Sequence, residues 1–253
     1  MTKTNKPKII ALILVVLVLL VPTSIAAPSI ASEPGARSEL APSIGSIGGG
    51  QEHSVGLFSG AASYVYPIAV PPGVGGLAPS VQLSYNHHST QSIAGPVGAA
   101  WSMTKSYIQR DIEHTRSDTS DDTFHLRFNG VDEELVYVAA EDRYHTKHES
   151  FLSIEKASGS SNDYGEYWAV KTTDGTTYRF GYTADAELAS NLESYAVQWS
   201  LDTVTDVHGN TINYTYAEDT AGEEGTSYLA DISYNNGLTQ VLFEYGPSSL
   251  SLD

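Results

Sequence analysis

From residue 129 onward the chain is punctuated by the turn sequences Asn129-Gly130, Asp174-Gly175, His208-Gly209-Asn210 and Asn236-Gly237. These residues tolerate the left-handed backbone that a tight hairpin turn demands, and the residues around them alternate apolar with polar. Strands are therefore predicted at Phe124–Phe128, Glu134–Val138, Tyr167–Lys171, Thr176–Phe180, Ala196–Leu201, Thr211–Tyr216, Leu229–Tyr234 and Gln240–Tyr245. Earlier in the chain, Ser63–Tyr66 and Val81–Tyr85 read the same way, on either side of the Pro/Gly stretch Pro71–Gly76. Sixteen Tyr and 22 Gly suit pleated faces joined by tight turns. One helical stretch is predicted, Asp185–Leu192, although it has no clear apolar face. The expected fold is all-β: successive antiparallel hairpins forming a curved sheet.

An internal echo runs through the last of these strands. Val204–Asn210 leads into Ile212-Asn213-Tyr214-Thr215-Tyr216, and Ile232–Gly237 leads into Val241-Leu242-Phe243-Glu244-Tyr245. Each unit is a strand, a Gly turn, and a strand ending in two aromatics two positions apart. Alternation places both aromatics on one face, where they can stack on the next hairpin.

The start of the chain has another character. Lys3, Lys6 and Lys8 precede the unbroken apolar run Ile9–Val21, and small residues follow. A basic start, a short apolar run and a small-residue exit read as a secretory signal peptide spanning residues 1–31, with cleavage after Ala26 or Ala31. Left uncleaved, Ile9–Ala27 would anchor the chain in a membrane. Ser32–Gly50 reads as a Gly/Ser/Pro linker, and residues 51–253 as the β domain. Removing the signal takes away three Lys and no acid, so the net charge deepens from −17 to −20. That excess of acid excludes a nucleic-acid partner, because affinity for a polyanion rests on clustered Lys and Arg. The absence of Cys removes disulfides, thiolate metal sites and thiol catalysis. The expected location is extracellular or at the cell surface.

The sequence carries no complete catalytic motif. Ile44-Gly45-Ser46-Ile47-Gly48 lacks the first Gly of a nucleophile elbow, and Gly45–Gly50 has no following Lys-Ser or Lys-Thr to make a phosphate loop. No Glu lies two positions from another Glu. His145 with His148, and His87 with His88, are spaced for a loose metal site, but no carboxylate completes a ligand set in sequence, and surface histidines are the simpler reading. Asp118, Asp121 and Asp122 lack the alternating spacing of a calcium loop and read as a solvated turn. Asp132-Glu133-Glu134 reads as the exposed acidic edge of a hairpin that discourages further pairing. Asn213-Tyr214-Thr215 is a lone glycosylation sequon. Trp101, Trp168 and Trp199 read as core or inter-sheet packing, with a sugar platform as the alternative. No catalytic, cofactor-binding or metal-binding residue is assigned, no cofactor is expected, and the chain is not expected to be an enzyme.

A series of short anchors carries a family resemblance. Gly60–Ile68, Pro71-Pro72-Gly73, Gly76–Pro79 and Leu83–Asn86 come first, followed by Gly95–Trp101 and Ile108–Arg110. Asp122–Leu126 with Asn129-Gly130, Trp168–Val170 with Asp174–Thr176, and Tyr178–Gly181 continue it. Trp199–Leu201, Asp206, Gly209-Asn210 and Tyr214–Tyr216 complete the order. From Gln51 onward the chain thus resembles the SpvB-type N-terminal domain that opens the B components of insecticidal toxin complexes and related RHS (YD-repeat) proteins. The family commonly carries Gly directly before the Trp of its first Gly-rich turn, where Ala100 stands here, which leaves the geometry of that turn open.

The resemblance implies a virulence-associated, secreted wall segment. In such relatives, hairpins spiral into a hollow β shell that encloses or delivers a toxic polypeptide. The ADP-ribosyltransferase of one relative requires a Glu-x-Glu pair, and that activity is not carried over. A protein partner, or downstream chain of RHS type, is expected to cover the strand edge at Gln240–Tyr245, with the domain continuing past Asp253. The alternative is a stand-alone β-rich binding module that holds a glycan or protein. Rings clustered in an exposed groove favour the module, and rings packed between hairpins favour the wall.

Overall fold

The computed structural model describes residues 52–55, 62–87, 89, 97–113, 115–190, 194–218 and 227–245. The expected signal at residues 1–31 and the linker at 32–50 lie outside them. Among the described residues no helix is long and apolar enough to cross a membrane.

All-β character holds throughout. Strands β1 (Glu52–Val55), β2 (Ala62–Ile68), β3 (Val81–Asn86) and β4 (Trp101–Met103) form an antiparallel sheet in chain order. A second sheet follows, with β5 (Tyr107–Asp111), β6 (Thr123–Phe128), β7 (Val131–Val138), β8 (Arg143–Thr146), β9 (Ser153–Ser158), β10 (Glu166–Lys171) and β11 (Thr177–Phe180). It is completed by β12 (Glu187–Ala189), β13 (Ala196–Thr205), β14 (Thr211–Glu218), β15 (Ser227–Tyr234) and β16 (Thr239–Leu242).

The expectation of an open curved sheet is corrected by β13. Strands β5 to β11 pair each with the next, and both ends of that series pair with β13, closing an eight-stranded barrel. Closure removes two free edges that an open, twisted sheet would leave unpaired. The ten residues of β13 make this possible by serving two sets of neighbours. The first half lies between β12 and β5, with Trp199 opposite Glu187 and Ile108. The second half lies between β11 and β14, with Val204 opposite Tyr178 and Ile212. Arg179 pairs with Thr203 while Phe180 pairs with Leu201, so the register shifts around Asp202. A bulge of this kind sharpens the local twist, which a barrel rim requires. Beyond the barrel, β14, β15 and β16 continue as a meander.

The barrel is filled by aromatic rings from strands that do not neighbour one another. Phe124 of β6 stands 5.0 Å from Trp168 of β10 and 5.9 Å from Trp199 of β13, and Tyr144 of β8 lies 4.8 Å from Trp168. Trp168, Trp199, Phe180, Ile108 and Ile154 are fully buried. Such edge-to-face contacts fix the rings beyond what their buried area alone would do.

Two further expectations are corrected. Asp185–Leu192 is not helical in its described part: a single 3-10 turn at Ala184–Ala186 runs straight into β12. With no apolar face to bury, the segment gains more by laying its backbone against β13. Asp132-Glu133-Glu134 is an edge only in part: β6 pairs all three residues, but the β8 ladder begins at Leu135, and on that side only Glu134 takes a backbone bond, from the Lys147 amide. Its acids meet two histidines and a lysine: Asp132 lies 3.4 Å from His125, Glu133 2.9 Å from His148, and Glu134 2.5 Å from Lys147.

The echo appears as a duplicated contact. Tyr216 Oη donates to the carbonyl of Leu201, and Tyr245 Oη donates to that of Leu229, both at 2.7 Å. In each case the second aromatic of a pair clamps the strand before it. The Asp206–Asn210 turn explains its own residues. One Asp206 oxygen accepts the amides of His208 and Asn210, each at 2.8 Å, and the other accepts the Asn210 side chain at 2.7 Å. The Pro/Gly stretch straps down the next turn, with Tyr234 Oη donating to the carbonyl of Pro71 at 2.7 Å and Asn235 Oδ1 accepting the amide of Val74 at 2.8 Å.

Candidate functional site

The connection from β4 to β5 carries the chain from the first sheet into the barrel, and both its ends are pinned. The Thr104 amide donates to the carbonyl of Gln82 in β3, and the Leu201 amide of β13 donates to the carbonyl of Ser106, each at 3.0 Å. Lys105, held between them, is half-buried. Its Nζ donates to Ser227 Oγ at 2.8 Å and to the Ser227 carbonyl at 3.3 Å, and lies 5.1 Å from the centre of the Tyr216 ring. Burial pulls its pKa down to about 8, because an ammonium loses hydration that a hydroxyl, a carbonyl and a ring replace only in part.

Beside Lys105 lies a cavity of about 360 Å³, walled by the meander, the end of the barrel and the segment leading into β3. Val81, Phe128, Leu201, Ile212, Leu229 and Ile232 give it an apolar lining, and Tyr178 and Tyr214 add half-buried rings. Burial holds the phenols of Tyr178, Tyr214 and Tyr216 in their neutral form to higher pH than usual. Ser80, Gln82, Thr104, Ser106 and Asn129 add polar groups to the wall, and a concavity of this size with a mixed lining can hold a small molecule.

The barrel holds a second charged group, internally balanced. Arg110 donates through Nε to the carbonyl of Ala196 at 3.0 Å and through Nη1 to Asp122 at 2.5 Å, with Glu166 3.9 Å away. Lys156 lies 2.8 Å from Glu166 and 5.1 Å from the Phe124 ring centre. Every cation here has an acid, so the cluster reads as the polar closure of an aromatic core. Two buried acids lie near the rim. Asp202 accepts Arg179 Nε and the Tyr182 amide, both at 2.6 Å, and Glu187 accepts the Asp163 amide at 2.8 Å. Burial raises the pKa of each, partly countered by those hydrogen bonds.

The residues singled out in sequence are dispersed. Asp122 turns inward to Arg110, Asp121 accepts Thr115 Oγ1 at 3.0 Å, and Asp118 accepts the Ser120 amide at 3.0 Å, so the three carboxylates do not converge. His145 meets Glu141 at 3.0 Å while His148 meets Glu133, on separate acids. His88 lies outside the described residues. Among the described residues no three His, Asp or Glu side chains gather as a ligand set. Trp168 and Trp199 are core, and Trp101 packs against Tyr64 and Tyr85 at 6.1 and 5.4 Å. Asn213 is exposed on β14. Ala100 adopts φ 65°, so the turn before Trp101 keeps the backbone a glycine would give it. Lys105 was not found in sequence, since a lone Lys between two strands has no local signature.

Comparison with known proteins matches this architecture. The chain resembles a TcdB2-TccC3 crystal structure with a TM-score of 0.56 and 20% identity over 73% of its length, which is 10% of that chain. A Photorhabdus luminescens Tc holotoxin pore gives 0.53 and 20% over 79%, again 10% of that chain. The N-terminal domain of the effector SpvB from Salmonella typhimurium strain LT2 gives 0.52 and 23%, covering 66% of this chain and 62% of that one. The chain thus spans about a tenth of the toxin chains it resembles. No curated protein matches the sequence. The family model described as Salmonella virulence plasmid 65kDa B protein matches residues 57–241, and by that match the chain belongs to the SpvB family.

Proposed function

We propose that this chain is an exported, non-catalytic wall segment of a toxin-complex-like assembly, contributing β structure to a shell that encloses or delivers a toxic polypeptide. The observation that carries the reading is the meander leaving the closed barrel. Along β14, β15 and the residue that follows β16, the rings of Tyr216, Tyr234 and Phe243 are buried, and the Tyr-to-carbonyl clamp occurs twice. A unit that clamps its predecessor can be repeated sideways, and repetition builds walls. Membership of the SpvB family and the likeness to stretches of Tc toxin chains agree with this. The rival, a glycan- or protein-binding module, needs exposed aromatic rings gathered in a groove, whereas Trp168 and Trp199 are fully buried.

The test is the native size of the product. An antibody against this chain, applied to fractionated culture supernatant and cells, is expected to find it in a hollow particle far larger than 27.1 kDa. A free species of this chain's own mass that binds a glycan array would replace the wall with the module.

A further inference from the structure

The chain carries 30 Asp and Glu against 13 Lys and Arg, so a cation here has acids in excess to pair with. Arg110, Arg179, Lys147 and Lys156 each have one. Lys105 does not: its ammonium meets Ser227 and the Tyr216 ring, and no acid of the described residues lies within salt-bridge distance. A half-buried ammonium without a counter-charge costs folding energy, and an acid-rich surface would supply a partner cheaply if none were wanted. Lys105 lines a cavity of about 360 Å³ whose other walls mix aliphatic side chains and tyrosine rings with Ser80, Gln82, Thr104, Ser106 and Asn129.

We propose that the Lys105 cavity binds a small amphipathic monocarboxylate, with its carboxylate on Lys105 and its alkyl or aryl body between the meander and the barrel end. The head group supplies the counter-charge that Lys105 lacks among the described residues, through a charge-assisted hydrogen bond. The body covers Val81, Leu201, Ile212, Leu229 and Ile232. Neutral molecules of the same shape gain only the second contribution, so the charge sets the selectivity. The inference is independent of the wall reading, since a pocket at the barrel end serves a free domain or an assembled one equally.

A pH signature follows. Lys105 loses its proton above about pH 8, so affinity is expected to hold below that pH and to fall above it. The other titratable groups facing the cavity are Tyr178, Tyr214 and Tyr216, all held neutral through this range by burial.

The experiment titrates the full chain calorimetrically with decanoate, 2-naphthoate and decanol. At least one carboxylate is expected to bind, decanol about tenfold or more weaker, and Lys105→Met to lose about tenfold or more of carboxylate affinity while leaving decanol unchanged. Equal binding of decanoate and decanol, full carboxylate affinity in Lys105→Met, or no binding by either acid would overturn the proposal. Should Lys105→Met not fold, the unaltered chain decides. Bound carboxylate is expected to protect Lys105, and no other lysine, from acetic anhydride, and labelling of Lys105 that ignores the carboxylate would overturn the site.

Discussion

Ala100 holds φ 65° directly before Trp101, a backbone region in which a Cβ is crowded. Its carbonyl accepts the amide of Asn86 at 3.0 Å, so the turn is held to this shape by β3. Ala100→Gly would relieve about 1–2 kcal/mol of strain and forfeit about 0.5–1 kcal/mol through the looser unfolded chain. The expected net is a stabilisation of about 0.5–1 kcal/mol, read from the urea midpoint at unchanged slope, and a lower midpoint would show that the turn is not strained. Lys105 makes a prediction of opposite character. Its pKa falls from the ordinary 10.5 to about 8 on folding, so between these values the unfolded chain binds more protons and stability rises with pH. Discounted for partial exposure, the gain is on the order of 1–2 kcal/mol. It must be read below about pH 10, because Tyr214, Tyr216 and Tyr245, shielded from water to differing degrees, keep protons that the unfolded chain releases there, which lowers stability. Urea titrations at pH 7.5 and 9.5 are expected to show the unaltered chain gaining on Lys105→Met. Parallel behaviour of the two would mean that Lys105 is as well hydrated folded as unfolded.

The Pro/Gly stretch is tied to the β15–β16 turn chiefly through one side chain. Asn235 accepts the Val74 amide and donates to the Pro72 carbonyl at 3.3 Å and to Thr239 Oγ1 at 2.9 Å, while itself at φ 55°. Asn235→Gly removes the side chain and keeps the backbone free to adopt that angle. The expected result is fast hydrogen exchange at Val74, unchanged exchange in the barrel, and a loss of about 1 kcal/mol. Protection of Val74 in the variant would show that Tyr234 alone holds the strap. The same elements show what a sequence discloses. Asn129-Gly130, with both residues at positive φ, and the alternating Phe124, Leu126 and Phe128 announce β6, its turn and its partner in local residues. β8 and β9 did not announce themselves, because inward places that an alternating pattern reads as apolar are filled by Tyr144, Thr146 and Lys156, made tolerable by Trp168, Ser150 and Glu166 from other elements. Closure of the barrel was likewise hidden, since it depends on β13 pairing with β5, about ninety residues earlier in the chain. The Lys105 cavity is further still from local pattern. It exists only where three separate stretches meet.

At the scale of the molecule, the closed ring and the meander obey different rules. Each barrel strand is paired on both sides, and the rings of Phe124, Trp168 and Trp199 bridge strands across the interior, so no one of them can open without disturbing the rest. Such a unit exchanges its amides only by global unfolding. β16 has four residues and, among the described residues, a single partner in β15. Its amides open at the cost of one short ladder and the packing of Val241, which is a fraction of the whole. Native-state hydrogen exchange is therefore expected to rank β10 and β13 slowest and β16 fastest, with β14 and β15 between. A β16 as slow as β10 would show that barrel and meander are one cooperative body. The gradient also bears on assembly. A neighbouring strand laid along the outer side of β16 would pair the backbone groups that have no ladder partner among the described residues. In a wall, protection at β16 would then rise towards that of β15 while β10 stayed unchanged, because the barrel is already closed. Comparing exchange in the isolated chain with exchange in the native particle measures that difference directly. Protection at β16 that is the same in both would count against the proposed wall, because the edge of the meander would then gain no partner in the particle.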